Sequence, residues 1–390
     1  MRIALLQFYK NPTPVYQELS AVFRTRGHTV WLGSLGEPGS IIWHDGVKVV
    51  AEQRGPVEVP QSVKWLRPIA MMYRRIAYLF FLLRVKRFLR SSKLDVVQVN
   101  RPLFAFILPL FMPSSMRFFL DVRQIGEWDS DTLMGRFKNW RAVKRSSFNA
   151  RWFYDRALFA SVSAAKRVLG EKFERHGSIT PIGVHDRFLS FPRASTVAVP
   201  TGSVVKFVFV GMVTRLRKLE ILFDACDCLA KKTRDFHITI IGPDSSNGFY
   251  HRLLDERKLS EVMSILPPVS YSEVPKVITS HDVALAYVAD VRDWKYQPTL
   301  KVLEYRALGM PIIATNNQPN TEVVRHEVNG LLVENDPRVF AEAMNRFVEN
   351  RRFIESTYRN AQEMRSGLTW SDVARLHMEG VYLRYPVPTQ

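Results

Sequence analysis

The chain has 390 residues, of which 46% are apolar, and its formal net charge is +18 at pH 7. A single hydrophobic core seldom grows beyond ~250–300 residues, so this length predicts two domains. Two cysteines are too few for a disulfide framework or a zinc site, and no apolar run approaches the ~20 residues of a transmembrane helix. The excess of positive charge indicates a polyanionic partner: nucleic acid, an anionic membrane or a phosphorylated substrate.

The amino-terminal half begins with a strand–helix–strand pattern. Residues 2–8 read as a strand, 15–25 as a helix and 29–32 as a second strand, which is how a doubly wound α/β domain begins. Asp121 and Arg123 follow a later strand at its carboxyl end, where open α/β sheets bind ligands. They are candidates for a catalytic or acceptor-binding role, and a structural ion pair or strand cap is the equal alternative.

Residues 63–93 carry nine basic side chains and no acidic one, interleaved with aromatic residues. A basic, aromatic-rich helix is typical of a membrane interface, where each Lys or Arg contributes ~1 kcal/mol near an anionic surface. The alternative is a long helix with one face in the core and the other in water, but the lack of acids favours the membrane. The candidate residues for membrane or acceptor contact are Arg74, Arg75, Arg84, Lys86 and Arg87.

A second basic and aromatic stretch spans residues 134–157. It could flank the first stretch on one face of the domain. Alternating aromatic and basic side chains also bind single-stranded nucleic acid, but no recognised nucleic-acid motif lies nearby, and nucleic acid is not expected as a partner. Residues 189–203, rich in Ser, Pro, Thr and Gly, predict the linker to the second domain.

The second half is organised around two short predicted helices, each followed by an apolar strand. Residues 299–307 predict the first helix, which Gly309 ends, and residues 322–327 predict the second. Helices whose amino-terminal ends point toward a strand edge make a natural anion site, because unpaired N–H groups and the helix dipole share one pocket. Glu304 is the one acid of the first helix and lies near Lys301.

An ordered motif runs through this stretch. It reads K-x-x-E-Y-x-A-x-G-x-P-h-I-A (h apolar) and then N-G-h-L-V, and its residues are Lys301, Glu304, Tyr305, Ala307, Gly309, Pro311, Ile313, Ala314, Asn329, Gly330, Leu331 and Val333. The motif resembles the donor-binding segment of GT-B glycosyltransferases, in particular the retaining group called family 4, or glycosyl transferases group 1.

The resemblance implies an α/β fold of two Rossmann-like, doubly wound domains that face a cleft. It implies an amino-terminal acceptor-binding domain with basic, membrane-facing helices over residues 1–198. A nucleotide-sugar-binding domain would span residues 199–367. A last helix, within residues 368–390, would cross back to pack on the first domain.

The resemblance also assigns roles at the donor site. Glu304 would accept hydrogen bonds from the ribose hydroxyl groups, and Gly211 would let the backbone approach the donor closely. Cations would hold the pyrophosphate and lower the cost of the leaving-group charge, and the first turn of the signature helix would add backbone donors. The residues for this role are Arg215, Arg217, Lys218, Lys301, Pro298 and Thr299.

Further roles concern the acceptor and the chemistry. Lys10 and Asn11 lie in the loop that the family uses on its acceptor side, where a glycine pair is usual. Asp121, Arg123 and Arg217 are the catalytic candidates. Members of the family need no bound metal, so no metal or other cofactor is expected, and the nucleotide-sugar is a co-substrate.

Two positions depart from the family's pattern. The family's first acid, eight residues before the signature glutamate, is Tyr296 here, and Asp290 or Asp293 are candidates to cover its role. The arginine that usually follows the glycine of the first loop is Met212, for which Arg215 is the candidate substitute. The resemblance therefore specifies the fold more closely than it specifies the donor or the catalytic residues.

The expected function is a hexosyl- or N-acetylhexosaminyltransferase that moves a sugar from a UDP- or GDP-sugar to a lipid-linked saccharide, with retention. The expected location is the cytoplasmic face of the plasma membrane, with peripheral attachment to anionic lipid, in the synthesis of a cell-surface polysaccharide or glycolipid. The opening residues read as a buried strand and not as a signal peptide, in keeping with this location. The alternatives are a nucleotide-sugar 2-epimerase, a glycogen-type enzyme, or a non-catalytic GT-B-like protein that docks membrane or nucleic acid.

Overall fold

A computed structural model gives the structure of the chain. It describes residues 1–8, 13–35, 41–45, 48–53, 67–100, 104–123, 125, 132–192, 204–289, 294–296 and 298–384. The chain divides into two compact units. The first consists of Met1–Ile125, Trp140–Ile182 and Trp370–Gln390, and the second of Gly126–Asn139 and Gly183–Thr369.

The first unit is built around a sheet that has eight strands in the described part of the chain. The strands are β1 (Arg2–Leu6), β2 (Thr29–Leu35), β3 (Ile41–Asp45), β4 (Lys48–Gln53), β5 (Val96–Asn100), β6 (Arg117–Val122), β7 (Arg156–Phe159) and β8 (Gly177–Ile179). Their order is β4-β3-β2-β1-β5-β6-β7-β8, and the pairs are parallel except for β2–β3 and β3–β4. The order reverses between β1 and β5, as in doubly wound domains.

Helices cover both faces of this sheet. They are α1 (Pro14–Thr25), α2 (Arg67–Ser91), α3 (Leu133–Trp152) and α4 (Val162–Leu169), with single 3₁₀ turns at Ala105–Ile107 and Phe173–Arg175. The short helix α5 (Asp186–Leu189) follows them in the chain and belongs to the second unit. Successive residues of a strand point to opposite faces. Accordingly Leu6 belongs to the same buried cluster as Phe81 of α2, whereas Leu5 belongs to that of Leu19 in α1.

The second unit contains a fully parallel sheet, which has six strands among the described residues. The strands are β9 (Val205–Val210), β10 (Phe236–Ile241), β11 (Met263–Leu266), β12 (Val283–Ala286), β13 (Ile312–Thr315) and β14 (Gly330–Val333). Their order, β11-β10-β9-β12-β13-β14, is that of a Rossmann sheet, with its switch point between β9 and β12. Ligands of such sheets bind beyond the carboxyl ends of the strands at this point.

The helices of the second unit alternate with its strands. They are α6 (Glu220–Ala230), α7 (Phe249–Glu256), α8 (Val274–Thr279), α9 (Leu300–Leu308), α10 (Gln318–Thr321), α11 (Pro337–Glu349) and α12 (Arg351–Glu363), with 3₁₀ turns at Arg215–Arg217 and Trp294–Tyr296. The short helix expected at 322–327 lies earlier in the chain, as α10. The side chain of Asn317 caps it by accepting a hydrogen bond from the Asn320 N–H at 3.0 Å, and this cap fixes where the helix begins.

The second unit begins earlier than the predicted boundary at residue 199. The guanidinium group of Arg365 donates to the carbonyl groups of Phe188 and Leu189, at 3.0 and 2.7 Å. Phe188 is fully buried in a cluster of the second unit. The residues from Gly183 onward therefore pack with the second unit, ahead of the polar stretch at 193–203, which lies outside the described residues.

The last helix returns to the first unit. Helix α13 (Trp370–Arg375) continues into a π-helical segment, Leu376–Tyr382. Trp370 is buried in the same cluster as Leu5 of β1, and the Tyr382 hydroxyl donates to Oε1 of Gln98 at 2.6 Å. The expectation that the carboxyl-terminal helix packs on the first domain is confirmed.

Candidate functional site

The candidate site lies at the switch point of the second sheet, where the loops after β9 and β12 diverge. The loop after β9 begins at Gly211, whose N–H donates to the carbonyl group of Ile241 at 2.9 Å. A Cβ atom on Gly242, in the neighbouring loop, would lie 2.1 Å from the carbonyl oxygen of Gly211. The two loops are thus in direct backbone contact, which holds the loop after β9 in place.

Lys301 is the second residue of α9 and is 6% exposed. Its Nζ donates to the carbonyl oxygen of Tyr287, just beyond β12, at 2.8 Å, and stands 3.9 Å from the ring centroid of Phe209. Burial lowers the pKa of Lys301 well below its ordinary value, and the nearby positive charge of Arg217 lowers it further. No carboxylate pairs with Lys301 in the described part of the chain.

Arg217 ends the 3₁₀ turn Arg215–Arg217 and is half-buried. Its Nη1 lies 3.7 Å from the point that a Cβ atom on Gly211 would occupy, so the guanidinium group reaches back over the first loop. Burial lowers the pKa of Arg217. Among the described residues it has no acidic partner either. Two cations therefore share a partly buried space in which the described residues supply no paired carboxylate, and this arrangement favours a bound anion.

Glu304 lies one turn after Lys301 on α9 and is 5% exposed. It accepts a hydrogen bond from the hydroxyl group of Tyr271 at 2.8 Å. Burial raises the pKa of Glu304 to about 7, although this hydrogen bond opposes the rise. The next residue, Tyr305, accepts a hydrogen bond from the N–H of Val210 at 2.9 Å and so ties the helix to the end of β9. The buried carboxyl group of Glu304 thus lies on the same helix as Lys301, one turn further along.

The amino-terminal end of α9 completes the site. Thr299 precedes the helix in an extended conformation, its side chain makes no capping hydrogen bond, and the first turn holds no acidic residue. The Oγ1 atom of Thr299 is buried and has no hydrogen-bond partner among the described residues. Among the described residues no side chain neutralises the positive end of the helix dipole, in keeping with the predicted role of Pro298 and Thr299 as flanks of an anion site.

Arg215 and Lys218 occupy a neighbouring cleft. This cleft has a volume of about 570 Å³, and Glu220, Tyr287 and Asn335 also line it. The guanidinium group of Arg215 stacks 3.6 Å from the ring centroid of Phe249 and lies 3.5 Å from a carboxylate oxygen of Glu220. Arg215 thus already has an anionic partner. The structure brings Gly211, Arg217, Lys301 and Glu304 together, and places Arg215 and Lys218 to one side.

Asp121 lies in the core of the first unit with 0% exposure. Its Oδ2 accepts hydrogen bonds from the hydroxyl group of Tyr16, from Nε2 of Gln98 and from Nε of Arg123, at 2.7, 2.9 and 3.1 Å. Arg123 in turn contacts Nε2 of His377 at 3.1 Å. The arrangement is that of the structural ion pair which the sequence left as an alternative to a catalytic role.

The residues proposed for membrane or acceptor contact lie in the first unit. Lys10 and Asn11 are outside the described residues, as is the side chain of Arg74. Arg75, Arg84 and Arg87 are exposed on α2. Lys86 is partly buried, and its Nζ donates to the carbonyl group of Leu110. The described helices include none that is both long and apolar enough to cross a membrane.

Two contacts at the site were missed by reasoning from the sequence. Tyr271 was assigned no role, yet its hydroxyl group is the hydrogen-bond partner of Glu304. Tyr287 was assigned no role either, yet its carbonyl group accepts a hydrogen bond from Lys301. The position of Tyr287 at the carboxyl end of a strand next to the switch point is a signal that could have found it.

Residues 205–350 match the family model described as glycosyl transferases group 1. The chain is 29% identical to a D-inositol 3-phosphate glycosyltransferase of a Nocardioides species over 193 residues. This matched stretch covers 45% of this chain and 41% of that protein. The chain thus spans less than half the length of this curated relative.

Solved structures resemble the whole chain. Sucrose-phosphate synthase from Thermosynechococcus elongatus matches with a TM-score of 0.69 at 16% identity, covering 98% of each chain. Anabaena HepE, in complex with UDP-glucose, matches with a TM-score of 0.66 at 13% identity, covering 98% of this chain and 99% of the other. The chain therefore has the GT-B fold, and its residues 205–350 match the model of glycosyl transferases group 1.

Proposed function

We propose that the protein is a glycosyltransferase that moves a sugar from a UDP- or GDP-sugar to a lipid-linked saccharide. The observation that carries the proposal is the pair of cations, Arg217 and Lys301, which lie together without a carboxylate partner among the described residues, beside the buried carboxyl group of Glu304. Two positive groups, with an acid one helical turn along α9 from one of them, match a ligand that carries a pyrophosphate next to a ribose.

In this proposal the donor's pyrophosphate binds between Arg217, Lys301 and the amino-terminal end of α9. The ribose hydroxyl groups donate to Glu304 and take the place of the Tyr271 hydroxyl group. Anabaena HepE, which has the same fold, is seen with UDP-glucose, and this supports a nucleotide-sugar as the ligand. The same cations stabilise the charge that develops on the nucleoside diphosphate as it leaves.

The proposed reaction is a single substitution at the anomeric carbon of the sugar. The bond from this carbon to the phosphate oxygen breaks, and the nucleoside diphosphate leaves with the bonding electrons. A bond to the acceptor's hydroxyl oxygen forms on the same face of the sugar, so the anomeric configuration is retained. The hydroxyl proton passes to the phosphate oxygen that leaves. The residues named above bind and stabilise the leaving group, and no metal is required for that step.

Helices α2 and α3 support the proposal of a membrane-bound acceptor. Helix α2 exposes the apolar side chains of Ile76, Phe80 and Leu83 next to the exposed cations Arg84 and Arg87. Helix α3 also exposes large apolar side chains: Leu133, Met134, Phe137, Trp140, Phe148 and Trp152. Apolar side chains among cations are the composition of surfaces that lie in the headgroup region of an anionic bilayer. We therefore place the protein at the cytoplasmic face of the plasma membrane.

The test is a screen for release of UDP or GDP from a panel of nucleotide-sugars, with and without vesicles of anionic lipid that contain crude lipid-linked acceptors. Turnover of one donor, stimulated by the vesicles and abolished in Arg217→Ala, is the expected result. Because Arg252 is an exposed arginine of the same unit, Arg252→Ala serves as the matched control. Release that is equal in the two variants would contradict the proposed site.

A non-catalytic binding protein is the second candidate, and one observation favours it. Two positions that usually carry functional side chains hold Tyr296 and Met212, and Met212 is 48% exposed. This candidate predicts that the protein binds vesicles and nucleotides while no donor is consumed. The release screen separates the two candidates, since only a glycosyltransferase would release UDP or GDP from a donor.

A further inference from the structure

Residues 267–273 form a loop that joins β11 to α8. Every residue of this loop is exposed, and the side chain of Tyr271 is 37% exposed. The Tyr271 hydroxyl group nevertheless donates at 2.8 Å to Oε1 of Glu304, a residue that is only 5% exposed. A side chain of a surface loop thus provides the hydrogen-bond donor of a buried carboxyl group.

The ring of Tyr271 has neighbours that do not depend on its hydroxyl group. Its centroid lies 5.6 Å from that of the Phe188 ring and 6.3 Å from that of the His185 ring. The guanidinium carbon of Arg187 lies 5.5 Å from the same centroid. Replacement of Tyr271 by phenylalanine would therefore remove the hydrogen bond to Glu304 and leave these ring contacts in place.

The two carboxylate oxygens of Glu304 differ in their partners. Oε1 accepts from Tyr271, whereas Oε2 accepts no hydrogen bond from a described residue. A ribose offers two neighbouring hydroxyl groups, and a carboxylate can accept from both. One hydroxyl group can bind Oε2 directly, but the other must displace Tyr271 from Oε1. Binding of the ribose therefore gives Glu304 one additional hydrogen bond in total, and not two.

We propose that Tyr271 competes with the ribose for Glu304 and thereby speeds release of the nucleoside diphosphate once the sugar has been transferred. The inference rests on the proposed function, which places the ribose at Glu304. As the ribose leaves, the Tyr271 hydroxyl group restores the hydrogen bond to the buried carboxylate. A buried charge without a donor is costly, so this return lowers the cost of the departure. Product release limits the turnover of many enzymes, and a competitor at this site therefore favours turnover.

The test measures the dissociation constants and dissociation rates of UDP and GDP for the unchanged protein and for Tyr271→Phe. Measurements at about pH 9 keep Glu304, whose pKa is about 7, ionised. We expect Tyr271→Phe to bind the preferred nucleotide about tenfold more tightly and to release it about tenfold more slowly, because a hydrogen bond to a charged group no longer has to be broken. The 2′,3′-dideoxy form of the same nucleotide lacks both hydroxyl groups, and its binding should not change.

Ser272→Ala is the matched control, because it removes a hydroxyl group of the same loop, and that group contacts Ser270. Unchanged or weaker binding of the preferred nucleotide by Tyr271→Phe would overturn the competition. An equal gain for the dideoxy nucleotide would overturn it as well, since the effect would then not depend on the ribose hydroxyl groups. Failure of the unchanged protein to bind either nucleotide, or unaltered binding by Glu304→Ala, would instead overturn the proposed function and the inference with it.

Discussion

Glu304 shows at the scale of a single residue how burial sets the properties of the site. The carboxyl group is almost fully enclosed and has the Tyr271 hydroxyl group as its hydrogen-bond donor. Its pKa of about 7 means that it exchanges its proton near neutral pH. A ligand that offers two hydroxyl groups would favour the ionised form, since a carboxylate has two oxygens that accept.

The first prediction concerns the pH dependence of stability. Because the pKa of Glu304 is about 7 in the folded protein and 4.5 ordinarily, the folded state holds a proton that the unfolded chain releases between these values. The free energy of unfolding should therefore fall as pH rises from about 4.5 to 7, by up to about 3 kcal/mol from this group. Denaturant unfolding of the protein and of Glu304→Gln at pH 5 and 8 measures the effect, and an identical change in both would contradict it.

Lys301 is the subject of the second prediction. A buried cation without a described counter-charge is held at a cost in free energy. Lys301→Met removes the charge and keeps an apolar chain against the ring of Phe209. We expect a higher melting temperature in the absence of ligand, together with at least tenfold weaker binding of UDP and GDP.

Thermal melts and nucleotide titrations check both parts of this prediction. Lys232→Met, at an exposed lysine of the same unit, is the control and should change neither quantity. The prediction fails if Lys301→Met has a lower melting temperature than this control and binds nucleotide as tightly as the unchanged protein. Lys301 would then stabilise the fold and would not bind an anion.

Residue roles were predictable from the sequence where they depend on local spacing. Lys301 and Glu304 are three residues apart, so one helix brings both to the same face. The sequence could not show which of Arg215 and Arg217 is available to an anion. Arg215 is already engaged, because it contacts Glu220 and the ring of Phe249, which lies on a helix further along the chain. A local sequence pattern cannot predict roles that depend on contacts with distant residues.

The role of Asp121 depended on even more distant residues. Tyr16 reaches Asp121 across 105 positions of sequence, and His377 reaches Arg123 across 254. Burial and the charge of Arg123 lower the pKa of His377 to about 3, so the histidine is neutral beside the arginine at neutral pH. Strand position alone placed Asp121 near a ligand-binding edge, but the tertiary contacts enclose it.

At the scale of the element, helix α9 is held in position from several sides. Tyr305 joins it to β9, Arg365 donates to the carbonyl group of Ala307 at 2.8 Å, and Gln362 donates to the carbonyl groups of Leu308 and Gly309. A helix that carries both Lys301 and Glu304 must not rotate, because a small rotation would move both groups away from a shared ligand. The restraints at its end therefore also position the site.

The third prediction concerns the contact between the loops after β9 and β10. Gly242→Ala would place a methyl group against the carbonyl oxygen of Gly211, where the available distance is 2.1 Å. The backbone must then shift, and we expect a loss of stability of about 1–3 kcal/mol, as for other overpacked sites. Nucleotide affinity should fall as well, since the shift displaces the loop that carries Arg217.

Denaturant unfolding and titration with UDP and GDP measure these two effects. Gly380→Ala is the control, because an added Cβ atom there meets no heavy atom within 4 Å. Gly242→Ala with normal stability would show that the loops can separate at little cost, against the close contact described above.

Element types were predictable because the strands of both sheets are short apolar runs separated by helical patterns, which is the signature of a parallel sheet. The boundaries of the elements were harder to predict from the sequence. The first turn after β13 forms a helix at Gln318–Thr321 because Asn317 caps it, although the sequence pattern placed the helix four residues later. The start of the second unit likewise depends on Arg365, which binds Phe188 from far along the chain.

At the scale of the whole molecule, the positive charge is concentrated in a few elements. Residues 63–93 contribute nine basic residues and no acid to a chain whose net charge is +18. On helix α2 the described cations Arg75, Arg84, Arg87 and Arg90 are exposed. Long-range attraction to an anionic surface depends on such clusters and is screened by salt.

The fourth prediction follows from this charge. We expect the protein to bind vesicles that contain anionic lipid, with an affinity that falls as salt is added. Arg84→Glu/Arg87→Glu should weaken binding at least tenfold, because each basic residue near the surface contributes about 1 kcal/mol. Sedimentation with vesicles of increasing anionic lipid content measures the effect.

Lys232→Glu/Arg352→Glu makes the same change in net charge at exposed positions of the second unit and is the matched control. Equal losses in the two double variants would mean that total charge governs the attraction. The surface of α2 would then have no particular part in binding lipid.

The return of α13 to the first unit also has a consequence for how the protein is made. Trp370 and Tyr382 lie in the core of a unit whose first strand begins at Arg2. A ribosome releases Trp370 after all strands of the second sheet, so the amino-terminal core is completed only after that sheet. During that interval the apolar faces of α1 and β1 stay uncovered, and nascent chains should depend on chaperones for longer than the order of the domains suggests.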